Sequence, residues 1–367
     1  MSSDKHEFAD FLSKEIKGYI DALSLRFRRH KKNATDVPAS DTLKSTFEHE
    51  IKPKLDLIEQ QRDSFNSEFE KRNRLLNFKV FPAVVIIVLL VVALGGDGSF
   101  FSTLIFAFCI GTSWAYKPAL DYIHFYKRNV MPILVKMYGE FSYSLTSEIK
   151  KDEIKKLAIS PSFDHIETED SIVGELDNIR FQFCELKLER SGNNGRRSGN
   201  NGRHTMFKGC MVKLTMPFDF NSHTIVQQDR GKVANWLTKD PKATQKVELE
   251  NNYFEQAFEV FSTDQVLARY ILTPVMMEQI LALYTMFMHK AGAQSFECEF
   301  IDNTAIFLIS YKANLIEPAW ISQSAYDINA LPLIEQELEL LTSISKQLNL
   351  DLMAARKVSS AQMAVNQ

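Results

Sequence analysis

The densest group of residues that could do chemistry in this sequence is the acidic run from Asp164 to Asp170, which reads DHIETED. Carboxylate oxygens and imidazole nitrogens are donors that divalent cations accept in proteins. The spacing fits no EF-hand loop, however, and a polar connection between a helix and a strand has the same composition. We therefore expect a polar connection at this position and no metal site.

Motifs that carry catalysis are absent elsewhere in the sequence. There is no GxxxxGK[ST] or GxGxxG loop for phosphates, no HExxH, no CxxC and no GxSxG. The eight histidines are scattered along the chain. Cys298 alternates with Glu297 and Glu299 on a predicted strand, and this position favours a buried, inert thiol. These observations predict a protein that is not an enzyme and that needs no cofactor.

The hydrophobic residues are concentrated in one part of the chain. The 367 residues, with 45% hydrophobic and 24% charged residues and a net charge of -3, exclude a many-span transporter, a fibre and a wholly disordered chain. Two apolar runs, residues 75–94 and 100–116, lie on either side of a glycine-rich turn. The first run has about twenty residues, the length that crosses a hydrocarbon core of about 30 Å. We predict a transmembrane helical hairpin with two spans, and the alternative is a buried hairpin in a soluble core.

The flanking residues predict the orientation of this hairpin. Cations precede the first run and follow the second, and the positive-inside rule places such flanks, and with them both termini, in the cytoplasm. Lys79 can extend its ammonium to the headgroups, and Trp114 with Tyr116 is typical of an interfacial belt. The cations are Lys71, Arg72, Arg74 and Lys79 before the hairpin and Lys117, Lys127 and Arg128 after it.

Helices are predicted on both sides of the membrane segment. Residues 1–40 form an amphipathic helix and a linker, and the basic end of this helix either contacts anionic lipid or is a solvated helix end. Residues 41–150 hold the hairpin on a helical stalk, because apolar residues recur at coiled-coil spacing, although such stripes could also pack on the downstream domain or on a second copy. The basic residues at the end of the first helix are Arg26, Arg28, Arg29, Lys31 and Lys32. The stalk stripes are Ile51, Leu55, Ile58, Arg62, Phe65, Phe69, Arg72 and Leu76, and then Leu120, Ile123, Val130, Leu134, Met137 and Phe141.

The pattern changes to period two in residues 151–350, which predicts an α+β domain with a mainly antiparallel sheet and packed helices. Residues 351–367 are predicted to be a flexible tail. Inside the domain, SGNNGR occurs at 191–196 and again at 198–203, which is typical of a surface insertion in a hairpin loop. The predicted strands are 172–176, 179–188 with a bulge near Cys184, 210–216, 224–227, 247–250, 265–272, 295–301 and 304–311. The predicted helices are 253–261, 275–290 and 333–348. The second of these has Thr273 as its cap and Pro274 at its first position, and Asp302 with Asn303 is predicted to join the last two strands.

Several stretches resemble a known family. Residues 169–189, 207–226 and 314–318, and above all 247–284 with the core TDQVLARYILTP, are similar to the bacterial membrane-protein family catalogued as domain of unknown function 3137. The resemblance implies a location in the bacterial inner membrane and offers no catalytic residues to carry over. It also implies a LemA-like membrane protein as a partner. In its signature, Asp264 and Arg269 are the polar residues that could pair with each other or bind a partner.

From these observations we expect a membrane-anchored cytoplasmic protein that acts as an adaptor or scaffold. Its expected partners are the lipid bilayer, another protein and a second copy of itself, and no nucleic acid, because the chain shows no basic stripe. Two alternatives remain open: a protein that binds lipids of the cytoplasmic leaflet, and an enzyme or small-molecule sensor with an unrecognised site in the α+β domain.

Overall fold

The computed structural model describes residues 41–93, 99–176, 179–192, 203–229, 244–290, 292–312, 314–318, 320–324, 338–339 and 341–343. Several predictions concern residues outside these ranges. They are the N-terminal helix with Arg26, Arg28, Arg29, Lys31 and Lys32, the turn between the apolar runs, most of the SGNNGR repeat, most of the helix over 333–348, and the tail.

The chain divides into two compact units, one helical and one built on a sheet. The first unit runs to Ile133 and also takes in Glu317–Leu333, and the second comprises Leu134–Ile316 and the residues from Ile334 onward. The division lies before the predicted boundary at residue 150. The reason is that the chain after residue 139 is already a strand, which pairs with the sheet.

The helical unit is built on two long, nearly continuous helical segments. The first passes through two π-helical turns, and the second contains Pro118. A short helix, α5, then leads into the sheet unit. The elements are α1 Asp41–Thr46, a π turn Phe47–Ile51, α2 Lys52–Leu75, a π turn Leu76–Val80, α3 Phe81–Ala93, α4 Ser99–Asn129 and α5 Met131–Lys136.

The predicted stripes form the buried faces of these helices. On the first segment Ile51, Ile58 and Leu76 are buried, and on α4 Ile123 is buried too. The two faces meet in an antiparallel pair, since ring contacts join Phe65 to Tyr122 and Phe125, and Phe69 to Tyr116. The last member of the second stripe, Phe141, is not helical, because its strand pairs with the sheet.

The sheet unit has nine described strands and four described helices after α5. Neighbouring strands are antiparallel throughout, in the order β1-β2-β3-β4-β9-β8-β5-β7-β6. The strands are β1 Glu140–Ser144, β2 His165–Leu176, β3 Ile179–Ser191, β4 Arg203–Thr215, β5 Thr224–Gln228, β6 Gln245–Val247, β7 Phe258–Ser262, β8 Ala293–Ile301 and β9 Thr304–Tyr311. The helices are α6 Lys151–Lys156, α7 Asn252–Ala257, α8 Gln265–Ile271 and α9 Pro274–Lys290. The predicted α+β class with a large antiparallel sheet is confirmed.

Both faces of the sheet carry a buried layer. On one face, residues around α6 such as Ile154 and Phe163 pack with Leu186 and Leu308 in one hydrophobic cluster. On the other face α9 covers the sheet through ring contacts, in which Tyr284 lies 5.1 Å from Phe258 and Phe287 lies 6.0 Å from Phe296. Three of the chain's 27 phenylalanines, Phe258, Phe287 and Phe296, thus lie in this second layer.

The bulge predicted near Cys184 lies on the neighbouring strand. The pairing of β2 with β3 shifts between Glu169 and Ile172, so Asp170 and Ser171 face the single residue Cys184. Asp170 has a φ of 47° and accepts a hydrogen bond from the Tyr143 hydroxyl. The acidic run that begins at Asp164 is therefore mostly strand, and the prediction of a polar connection is wrong.

Two helix and strand predictions near the family-like signature are also wrong. Residues 265–272 were predicted as a strand and form α8 instead, because Ala268, Ile271 and Leu272 are buried at helical spacing behind an N-cap at Asp264. The helix predicted over 253–261 ends at Ala257, since the following residues alternate in burial and pair with β5 as β7.

Candidate membrane interface

The first long helical segment exposes an apolar surface that water does not favour. Within the described residues, Asp56–Val91 is a helix long and apolar enough to cross a bilayer, and α8 with α9 qualifies only if this pair, bent by 66°, counts as one span. On α3 the large apolar residues point outward on several sides, including Leu89, which is 63% exposed. Exposed apolar surface of this kind is typical of segments that contact lipid or another protein. The exposed large residues are Phe81, Val85, Ile86, Ile87, Leu89 and Leu90.

The antiparallel pairing with α4 continues into this apolar region. Phe81 lies 6.0 Å from Phe108, measured between ring centroids. One step nearer to the polar end, a Cβ added at Gly111 would lie 3.3 Å from the Leu76 side chain. The lack of a side chain at Gly111 therefore lets the two helices approach closely, as small residues do in membrane helix pairs.

Arg72 joins the two helices at the polar end of the apolar region. Its Nη1 donates to the Trp114 carbonyl oxygen at 3.0 Å, and its guanidinium carbon lies 4.7 Å from the centre of the Trp114 ring. Its Nε donates to Glu68 at 2.7 Å, and this hydrogen bond lowers the pKa of the Glu68 carboxyl. Hydrogen bonding and a cation–π contact thus fix one guanidinium between the helices.

A second group of cations lies on the outer side of the same helical segment. Lys71, Arg74 and Lys79 line one depression of about 660 Å³ together with Leu75 and Phe78. Phe78 is 78% exposed, so this side points away from α4. Asp63 and Glu70 also line the depression, toward its polar end. Charged and apolar groups are therefore combined at the place where the polar helix α2 gives way to the apolar helix α3.

The three residues predicted to lie at the membrane interface, Lys79, Trp114 and Tyr116, differ in their exposure. Lys79 is exposed and Trp114 is 44% exposed, at the level of Arg72. Tyr116 is only 5% exposed, and its ring packs edge-on against Phe69 at 5.3 Å. Lipid contact by these three residues stays a prediction, and for Tyr116 the described contact is with protein.

Asp264 and Arg269 do not pair with each other. The Asp264 carboxylate accepts from the backbone N–H groups of Val266 and Leu267 at 2.8 and 2.9 Å and so caps α8. Arg269 donates to the carbonyl oxygen of Glu248 at 3.2 Å. Asp264 thus caps its own helix and Arg269 holds the chain that follows β6, and binding of a partner by these residues stays a prediction.

Asp164 of the acidic run and the three buried cysteines also have structural roles. Both carboxylate oxygens of Asp164 accept from the Ser191 backbone N–H, which lowers the pKa of Asp164. Among the described residues, no group of three or more histidine, cysteine, aspartate or glutamate side chains could hold a metal ion. Burial raises the pKa of Cys184 to about 12 and raises that of Cys210 and Cys298 further.

One polar pair on the sheet was not predicted. Glu299 is 0% exposed, and its two oxygens meet the His223 ring at 2.7 Å and the Ile159 backbone N–H at 3.1 Å. His223 and Glu299 are 76 residues apart in sequence, so only the sheet order, which places β5 beside β8, brings them together. Through the hydrogen bond from Ile159, Glu299 holds the chain that follows α6 against the sheet.

A segment after β9 was missed as well. Glu317 accepts from Lys127 at 3.1 Å, the Ile321 carbonyl accepts from Arg62 at 2.7 Å, and Trp320 meets Phe69 edge-on at 5.9 Å. This strap, residues 317–318 and 320–324, packs on α2 and α4 within the first unit. Arg62 and Arg72 are the two charged residues within the predicted apolar stripe. Their hydrogen bonds to backbone carbonyl oxygens, of Ile321 and Trp114 respectively, explain why arginine is accommodated at these positions.

The comparisons with known proteins give a family and a distant structural neighbour. The family described as Protein of unknown function (DUF3137) matches residues 205–350 and confirms the resemblance over that segment. No curated protein matches the chain. The crystal structure of the mycobacterial trehalose monomycolate transport factor A, TtfA, is similar at 13% identity over 57% of this chain and 90% of that chain. Its TM-score of 0.29 is too low to carry an argument about this chain.

Proposed function

We propose that this chain, whose residues 205–350 carry the DUF3137 family domain, is a membrane-anchored protein that presents its sheet unit to partners as an adaptor or scaffold. The anchor is the helical hairpin formed by α3 and the first half of α4. It enters from the cytoplasmic side of a bacterial inner membrane and returns to the same side.

The observation that carries the proposal is the exposed apolar surface of α3. In water, each leucine or isoleucine on it, about half exposed, would lack about 1 kcal/mol of burial free energy. Lipid removes this cost without any protein contact. From Leu75 to Ala93 the helix has a length of about 28 Å, which matches the hydrocarbon core when Lys79 extends its ammonium back to the headgroups.

The return of the chain supports a second span. The ring contact between Phe81 and Phe108 and the approach of Leu76 to Gly111 continue the antiparallel pair into the apolar region. A helix that pairs with a lipid-embedded helix over this depth must itself lie in lipid. Lys71, Arg74 and Lys79 on one helix and Lys117 on the other then lie on one side, as the positive-inside rule requires.

An interaction role suits the described surface of the sheet unit better than catalysis. Large apolar side chains remain exposed on each of the helices α7, α8 and α9, and aromatic and aliphatic side chains of this kind are buried at the centre of protein interfaces. They are Tyr253, Val266 and Val275. A LemA-like membrane protein or a second copy of the chain remains the proposed partner.

Extraction of the membrane fraction with alkaline carbonate tests the anchor. Wild type should remain in the pellet, and Ile86→Lys with Leu90→Lys should move to the supernatant, because two lysines in the hydrocarbon core oppose insertion. Gln60→Lys with Ser64→Lys is the matched control, since it adds the same charges on exposed positions of α2. Release of the wild-type protein would overturn the anchor.

Crosslinking of full-length protein in its membranes, followed by purification and mass spectrometry, tests the adaptor role. We expect one reproducible partner or a crosslinked second copy. Recovery of neither from repeated preparations would contradict an adaptor.

A further inference from the structure

We propose that Lys71, Arg74, Lys79 and Phe78 form a binding site for the headgroup of an anionic phospholipid in the leaflet from which the hairpin enters. This site rests on the proposed membrane anchor. The three cations would hold the phosphate, and Phe78 would lie against the start of the acyl chains.

The cations are available for a ligand, whereas their neighbour Arg72 is not. Arg72 is held by Glu68 and by Trp114. Within the described part of the chain, Lys71, Arg74 and Lys79 have neither a hydrogen bond nor an ion pair, and all three are exposed. They line one depression on the side of the helix opposite to the pairing face.

The charge of the depression fits a phosphate. Two acidic residues also line it, but Asp63 is paired with Arg62. Glu70 is the remaining carboxylate, so in this described stretch of the chain the depression holds three cations and one unpaired anion. Asn66 and Ser67 in the same lining add neutral polar groups that can hydrogen-bond to phosphate or glycerol oxygens.

The direction of the helix places these side chains at headgroup depth. Side chains on a helix tilt toward its N-terminus, and the first segment runs from the polar end into the apolar one. Lys79, the deepest of the three, therefore extends its ammonium back toward Arg74 and Lys71. Leu75 and Phe78, which are both exposed, lie among these cations, where apolar groups meet acyl chains rather than water.

The π-helical turn Leu76–Val80 lies within this site. Such turns add one residue to a helical turn and are frequent at functional sites. Here the turn includes Phe78 and Lys79 on the outer side, while Leu76 stays buried on the pairing side.

The test compares lipid retention by full-length protein purified from nanodiscs that contain phosphatidylcholine with about one third phosphatidylglycerol. Native mass spectrometry of the released protein counts the bound phosphatidylglycerol. Lys71→Gln with Arg74→Gln and Lys79→Gln should lower this retention at least about five-fold, because each cation near a phosphate contributes to binding. Lys150→Gln with Lys155→Gln and Lys156→Gln is the control, since it removes three exposed cations on the sheet unit and should keep wild-type retention.

Each outcome decides the proposal. Equal retention by the two triple variants would overturn the site, as would preference for phosphatidylcholine in the wild type. A site for free phosphate would also contradict it, and would appear as loss of phosphatidylglycerol when inorganic phosphate is added at millimolar concentration. Carbonate resistance of the Lys71, Arg74 and Lys79 variant separates the proposals, because the anchor can hold while the headgroup site fails.

Discussion

The guanidinium carbon of Arg72 lies 4.7 Å from the centre of the Trp114 ring, although the two residues are 42 positions apart in sequence. The same side chain donates to the Trp114 carbonyl oxygen and to Glu68. Arg72 thus joins α2 to α4 at the position where the surface of the first helical segment changes from polar to apolar.

Replacement of Arg72 by glutamine should loosen this end of the hairpin. The lost cation–π contact and charged hydrogen bonds predict a decrease of about 1–2 kcal/mol in unfolding free energy. Thermal unfolding of the protein in detergent, followed by circular dichroism, measures it. Arg74→Gln, with the same change of charge on the outer side, is the control, and an equal decrease in both variants would argue against the role of Arg72.

Removal of the Asp264 carboxylate should destabilise α8. Loss of the cap to Val266 and Leu267 predicts about 1 kcal/mol for Asp264→Ala, and Asp264→Asn should retain most of the stability. Chemical denaturation of the full-length protein measures the difference. If Asp264→Ala is as stable as wild type but loses a crosslinked partner, Asp264 binds that partner and its cap is unimportant.

The buried pair of Lys127 and Glu317 should show strong coupling. Each side chain has little exposure, so Lys127→Met or Glu317→Leu alone leaves a buried charge and should cost about 3–5 kcal/mol. The double variant should be more stable than either single variant, because no isolated charge remains. A double-mutant cycle by urea denaturation measures the coupling, and additive losses would show that the strap does not depend on this pair.

The buried thiols predict a loss of stability at alkaline pH. The pKa of Cys184 is raised from 9.0 to about 12, so its stabilising contribution is complete below pH 9 and declines as the pH rises to about 12. The sign follows because the unfolded chain releases the thiol proton first. Cys184→Ala should unfold at a lower denaturant concentration at pH 7 but show a smaller decrease between pH 9 and pH 11. A wild-type pH dependence in that variant would contradict the assignment to this thiol.

Local signals predicted part of the sheet unit correctly. Thr273 and Pro274 marked the start of α9, and the Thr273 hydroxyl accepts from the Met276 N–H as a cap should. Asp302 and Asn303 marked the turn between β8 and β9, where Asp302 has a φ of 51°. In these places the residues that determine the structure are neighbours in sequence.

The errors arose where distant residues decide. Residues 265–272 alternate in hydrophobicity as a strand would and also repeat at helical spacing, and packing on distant residues decides between the two. The Asp264 cap was a local signal of the helix that the prediction missed. The contact of His223 with Glu299 and the strap around Trp320 depend on the order of strands and helices in space. The sequence places Phe78 and Lys79 in or beside the first apolar run. Their position on the side facing away from α4 follows only from the packing of the two helices.

The most direct test of the membrane hairpin is labelling of cysteines, introduced one at a time, in sealed, right-side-out membranes with an impermeant maleimide. The buried Cys184, Cys210 and Cys298 are left in place. Cys109 is first replaced by alanine, and Asp97→Cys, Lys44→Cys and Lys117→Cys are compared before and after permeabilisation. We predict that Asp97→Cys reacts in intact membranes and that Lys44→Cys and Lys117→Cys react only after permeabilisation. Protection of Asp97→Cys until permeabilisation would contradict the crossing, and reaction of Lys117→Cys in intact membranes would contradict the second span.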